Sequence, residues 1–179
     1  METYLDILKF TALSYTWGDE LPEYDILVTS GDHTGWFSVR QNLYDFLQQR
    51  VQEHSPLYWI DQICINQNDD DEKGHQVNQM AELYNSATNV EVWLGPGFEG
   101  SDRVMDLIAR GGQIDYSQQA VPGFRVSRQD QRDLGSAIQD FVDLPYWSRL
   151  WIIQEMVLSR SMSICIKDKR LTWTTFYKE

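Results

Sequence analysis

Basic residues are scarce in this chain. Lys and Arg number 15 against 27 Asp and Glu in 179 residues, a formal charge of −12. Proteins that grip nucleic-acid backbones or anionic membranes do so with clustered Lys and Arg, so neither is an expected partner. Cysteine is scarcer still. Cys64 and Cys165 stand far apart within apolar runs, which gives neither a disulfide framework nor zinc-ligand spacing and fits a reducing compartment. Long apolar runs are missing as well: a stretch such as Leu150 to Ile153 is far too short to span a bilayer. The opening ten residues lack the basic segment and apolar stretch of a secretory signal. These absences predict a cytoplasmic protein. His33, His54 and His75 are scattered outside any metal-ligand spacing, and no Gly-x-Ser-x-Gly elbow occurs, so metal and serine-hydrolase chemistry lack local support. The histidines read as surface residues.

What remains is a chain able to fold. With 42% hydrophobic residues it can bury a core, and its length suits one domain. Phe10 to Tyr15 leans to strand, Ile26–Thr29 and Phe37–Val39 read as a hairpin, and Leu43, Phe46, Leu47 and Val51 recur at helical spacing from about Arg40 to Glu53. The stretch from Pro56 to Gly95 reads strand, polar loop (Asn66 to Gly74), helix, strand. That is a βαβ unit, which implies a parallel sheet. Ser101 caps a predicted short helix, Gly111 to Arg128 reads as an irregular insertion, Leu134 to Val142 as a helix, and Tyr146 to Ser159 as another. Ser163 to Ile166 is the last clear strand.

Two apparent motifs dissolve on inspection. Gly95-Pro96-Gly97-Phe98-Glu99-Gly100 spells the dinucleotide-binding glycine pattern, but the second strand with its acidic end is missing, since Gln113 to Gln118 is polar. It reads as a turn. Asp69-Asp70-Asp71-Glu72 fails the calcium-loop pattern at its glycine and final glutamate positions, and reads as acidic residues favourably placed at a helix N-terminus.

The informative segment is Tyr146 to Leu158. Seven of the nine residues from Leu150 to Leu158 are apolar, which predicts a helix buried on most sides. Ser148, Trp151 and Glu155 are spaced i, i+3, i+7, one helix face. A carboxylate in such surroundings is desolvated unless paired, so Glu155 is either a functional acid or half of a structural ion pair, Arg149 being the nearby cation. Ser14 and Trp17 follow the first strand and Asp61 ends another, and in a parallel sheet strand C-termini converge on the ligand crevice.

Ala12–Asp19, Trp59–Gln67 and Tyr146–Glu155, with Gln76–Met80 and Val92–Gly95 between them, resemble the ordered signature blocks of the fungal heterokaryon-incompatibility (HET) domain, from about Phe10 to Trp173. One departure is Glu72-Lys73-Gly74, where the family usually has Glu-Arg. The HET family is in turn similar to Toll-receptor-type (TIR) domains. The resemblance implies an α/β fold: a flavodoxin-like (TIR-like) central parallel sheet flanked by helices, with an added β-hairpin and a helical insertion at about 96–142. It implies one HET domain over 1–179, joined to a larger protein. In NAD-cleaving TIR domains a glutamate four residues after a Trp is catalytic, which carries over to Glu155.

Two functional readings follow from that resemblance. In the first, the domain acts in programmed cell death and fungal immunity by hydrolysing NAD. No cofactor is needed, because NAD is the substrate. Glu155 stabilises the oxocarbenium-like state, and Ser14, Trp17, Asp61, Ser148, Arg149 and Trp151 bind the nucleotide. The charge of −12 opposes an anionic substrate, which Arg149 or Arg103 would offset locally. In the second, the domain is a non-catalytic signalling module that forms homo-oligomers through residues from about Asn66 to Tyr84 and works with receptor proteins of the incompatibility system.

Overall fold

A computed structural model describes residues 9–18, 21–50, 57–111 and 128–173. The elements are β1 (Phe10–Tyr15), β2 (Tyr24–Ser30), β3 (His33–Val39), α1 (Gln41–Arg50), β4 (Leu57–Trp59), α2 (Asp61–Cys64), α3 (Asp70–Ser86), β5 (Asn89–Trp93), α4 (Ser101–Ala109), α5 (Arg128–Val142), a 3₁₀ turn (Pro145–Ser148), α6 (Ile152–Leu158), β6 (Met162–Ile166) and β7 (Lys169–Thr172). The main sheet runs β4-β1-β5-β6-β7, and β2 and β3 form a separate antiparallel hairpin. Strands β4, β1, β5 and β6 are mutually parallel, which is the flavodoxin-like strand order. The expected central parallel sheet flanked by helices, with its added hairpin, is present; at one edge β7 pairs antiparallel with β6, because Lys167 (φ 53°) turns the chain straight back.

The side chains of each strand alternate between two cores, as the period of two requires. Phe10, Ala12, Val90, Val92, Met162 and Ile164 face a core closed by Leu83 and Tyr84 of α3 and Ile152 of α6. Leu13, Tyr15, Trp93 and Cys165 face the opposite core, closed by Leu43 and Phe46 of α1. Cys165 is fully buried, and burial together with the nearby Glu91 charge pushes its thiol up to about 12, so it stays a protonated packing residue. Both cysteines are free.

Several boundaries move from their predicted places. Helix α3 begins at Asp70 inside the expected polar loop, because the Asp69 carboxylate caps the N–H groups of Asp71 and Glu72. Helix α4 is entered through Gly100 at φ 86°, with Ser101 as its first helical residue rather than its cap. The three glycines of the apparent nucleotide motif, Gly95, Gly97 and Gly100, all hold positive φ, which fits the turn reading. His33 and His75 are exposed. His54, the end of the first predicted helix after Arg50, and residues 112–127 of the predicted insertion lie outside the described residues. Among the described residues no cluster of His, Cys, Asp or Glu can hold a metal, and no helix is long and apolar enough to cross a membrane.

Gly100 is also where α4 meets α5. A Cβ there lies 2.7 Å from the Ala137 Cβ, whereas at Gly111 (φ 68°) nothing stands within 4 Å. Gly100→Ala therefore combines backbone strain with a clash and is expected to cost about 2 kcal/mol, against about 1 kcal/mol for Gly111→Ala. Denaturant midpoints of the two variants check the difference.

Candidate active site

The site grows from the C-terminal ends of β1 and β4. Ser14 is the next-to-last residue of β1 and points to the α3/α6 face. Its hydroxyl donates to the Glu155 carboxylate and pairs with the Tyr146 hydroxyl at 2.7 Å. Helix α6 presents Ile152 and Glu155 inward as neighbours one turn apart, which puts the carboxylate against the sheet at 1% exposure. Arg149, from the segment between the 3₁₀ turn and α6, reaches Glu155 Oε1 through Nη2 at 3.5 Å and lies over the Tyr146 ring at 5.6 Å.

Asp61 opens α2 directly after β4. Its Oδ2 accepts from the Trp17 indole at 2.9 Å, and its Oδ1 accepts from the Gln62 N–H at 2.7 Å. The face of Trp17 meets the Arg40 guanidinium at 5.3 Å. Asn42, in the first turn of α1, fastens this corner: its amide donates to the Thr16 carbonyl at 2.7 Å, and its Oδ1 accepts from the Trp93 indole at 2.9 Å. The ends of β1 and β5, where the strand order reverses, are thus tied together. That reversal is the position at which open α/β sheets bind their ligands.

Both acids of the site are harder to ionise than usual. Burial raises the pKa of Glu155, only partly opposed by the Arg149 charge and the Ser14 hydrogen bond, and the Asp61 charge adds to the rise. Burial likewise raises Asp61, against the Trp17 and Gln62 hydrogen bonds and Arg149. Burial and then Glu155 push the Tyr146 phenol far up. Two carboxylates and one guanidinium therefore share a poorly solvated corner.

Of the residues singled out from sequence, Ser14, Arg149 and Glu155 meet directly, and Trp17 and Asp61 adjoin them. Ser148 and Trp151 do not join. Arg149 is extended (φ −73°, ψ 130°), so the predicted continuous helix is broken between the 3₁₀ turn and α6 and the i, i+3, i+7 face never forms. Ser148 is exposed with its hydroxyl on the Pro145 carbonyl at 2.8 Å, and Trp151 is 47% exposed. The expectation that α6 is buried on most sides is also corrected. Leu150, Ile153 and Val157 lie open at 76%, 59% and 76%, because seven residues on the rim of a sheet have only one face to bury. Arg103 sits on α4, which packs on α5, β6 and β7. Tyr146 and Thr16 were not singled out from sequence, although both lie inside the signature blocks.

Fold and site together define a doubly wound α/β domain with a buried carboxylate near the C-terminal edge of its parallel strands. The family described as Heterokaryon incompatibility protein (HET) matches residues 10–155. "Heterokaryon incompatibility protein 6, OR allele" of Neurospora crassa is 32% identical over 84% of this chain and 27% of that protein, so the chain spans about a quarter of the length of this relative. No solved structure matches. The chain belongs to the heterokaryon-incompatibility family.

Proposed function

We propose that this domain is a cell-death effector of the incompatibility type that hydrolyses NAD to nicotinamide and ADP-ribose. One observation carries the chemistry: a desolvated carboxylate, Glu155, fixed by Ser14 and Arg149 at the switch point of the sheet. The bond from nicotinamide nitrogen to ribose C1′ breaks with its electron pair going to the pyridinium nitrogen, so nicotinamide leaves neutral and needs no general acid. Water adds to C1′ and gives up one proton. Positive charge develops on the ribose between these events, and a carboxylate in a dry site stabilises it more than one in water. In the observed conformation Arg149 and Ser14 cover the carboxylate. Catalysis on this reading starts with uncovering it.

A second reading, a self-associating module without chemistry of its own, is favoured by the open apolar row of Leu150, Trp151, Ile153 and Val157. Among the described residues the stretch proposed for this role from sequence, Asn66 to Tyr84, exposes no large apolar side chain. The purified domain, fused to an oligomeriser, separates the readings. Nicotinamide release in the clustered form that Glu155→Gln abolishes supports the enzyme. Toxicity retained in Glu155→Gln but lost in Leu150→Glu/Val157→Glu supports the scaffold. Without the oligomeriser, sedimentation on the scaffold reading is expected to show self-association of the wild-type domain and a monomer for that double variant.

A further inference from the structure

Two groups at this corner are buried and make no hydrogen bond among the described residues: the Thr16 hydroxyl and Nη1 of Arg149. Such groups are rare in native proteins, since each has given up water without a replacement. Thr16 directly follows the last residue of β1, two residues after Ser14. The Arg149–Glu155 contact is itself weak: a single nitrogen at 3.5 Å, where charge-assisted pairs close to 2.7–2.9 Å. A cation fixed beside Glu155 also opposes the positive charge that the carboxylate has to stabilise.

Resting on the NAD reading, we propose that Arg149 is a substrate-operated cover. It stays on Glu155 in the free protein and transfers to the pyrophosphate of the bound dinucleotide, while the Thr16 hydroxyl takes a second hydrogen bond from the same ligand. The transfer uncovers a carboxylate that is 1% exposed and removes the competing charge. The Arg149 side chain is 21% exposed and held by the long Glu155 contact, the Tyr146 ring and the Asp61 charge rather than by a close ion pair. It thereby selects phosphate-bearing nicotinamide nucleotides over the bare nucleoside.

The experiment compares NAD with nicotinamide riboside, which has the same scissile bond and no phosphate, on the clustered domain. Arg149→Ala should raise KM for NAD about 10- to 100-fold, the range of a lost hydrogen bond to a charged group. It should raise kcat on nicotinamide riboside, so that the preference for NAD collapses, and move the acid limb of the pH–rate profile upward as Glu155 loses its cation. Arg149→Lys should keep part of the preference. Thr16→Val should raise KM for NAD up to about tenfold with an unchanged or higher melting temperature. Equal losses on both substrates in Arg149→Ala, with folding intact, would overturn the proposal.

Calorimetry with ADP-ribose judges the cover without catalysis. Glu155→Gln should bind it more tightly than the wild-type domain, because Arg149 is no longer held, and Arg149→Ala should bind it weakly. If Glu155→Gln cleaves NAD at the wild-type rate, the enzymatic reading fails. If Glu155→Gln binds ADP-ribose no better than the wild-type domain, the cover fails while that reading stands.

Discussion

Glu155→Gln is expected to lower NAD hydrolysis by about 10²- to 10³-fold, the effect of removing one preorganised charge from a transition state, while leaving the fold as stable as before or more so. The two outcomes share a cause. Glu155 has a raised pKa, so its folded form holds the proton more readily than the unfolded chain does. A group of that kind binds more protons when folded, and stability falls as pH rises from the ordinary glutamate value through the raised one. The wild-type domain carries the cost of an ionised Glu155 at neutral pH, and the glutamine does not. The activity has the opposite slope, since it needs the carboxylate and rises with pH through the same window. Nicotinamide release and thermal melts between pH 4 and 8 check both. A wild-type melting temperature that rises across that window relative to the variant would contradict the assignment of Glu155 as a destabilised acid.

How much of this was legible beforehand depends on periodicity and its breaks. The short β-leaning runs Phe10–Tyr15 and Asn89–Trp93 and the βαβ spacing between Pro56 and Gly95 mark the parallel core. Strand direction follows because a crossover of that length joins parallel strands. Strand β7 escaped because Lys169–Thr172 is short and polar at an exposed edge. The break at Arg149 escaped for a different reason: nothing in Ser148-Arg149-Leu150-Trp151 is a helix breaker, and the preceding turn is anchored through contacts distant from it, the Trp147 ring packing on Phe141. The site was legible in its outline. Ser14, Asp61 and Glu155 stand out as polar residues in apolar blocks, and strand-end convergence brings them together. Which side chain covers which was not legible, because it depends on that backbone break. Glu91 was readable and went unread. A glutamate between Val90 and Val92 in a central strand cannot stay charged without a cation, and the matching arginines come from Arg50 and Arg170, far away in sequence.

That second buried carboxylate carries the largest stability effect. Glu91 sits on the face of the sheet opposite Glu155, 2% exposed. It accepts from Arg50 Nε at 3.1 Å and from Arg50 Nη2, from the Tyr58 hydroxyl at 2.8 Å, and from Arg170 Nη2 at 3.0 Å. It thus ties α1, β4 and β7 to the central strand β5. Burial pushes its carboxyl up, but the Tyr58 hydrogen bond and the Arg50 and Arg170 charges outweigh burial, so its pKa lies below the ordinary value. A carboxyl of that kind contributes stability above the unfolded pKa that is lost as pH falls through the lowered one, the reverse of Glu155. Glu91→Gln takes from the buried Arg50, 6% exposed, the carboxylate charge that it faces on β5. The expected cost is about 3–5 kcal/mol, a fall in melting temperature of roughly 10 °C for a domain of this size. Arg170, 46% exposed, can turn to solvent and is expected to matter much less. If the cost is the broken ion pair rather than lost packing, Glu91→Leu combined with Arg50→Met should recover most of the stability that Glu91→Leu alone loses. A double variant as unstable as the single one would mean that Glu91 serves as a packing post rather than half of an ion pair.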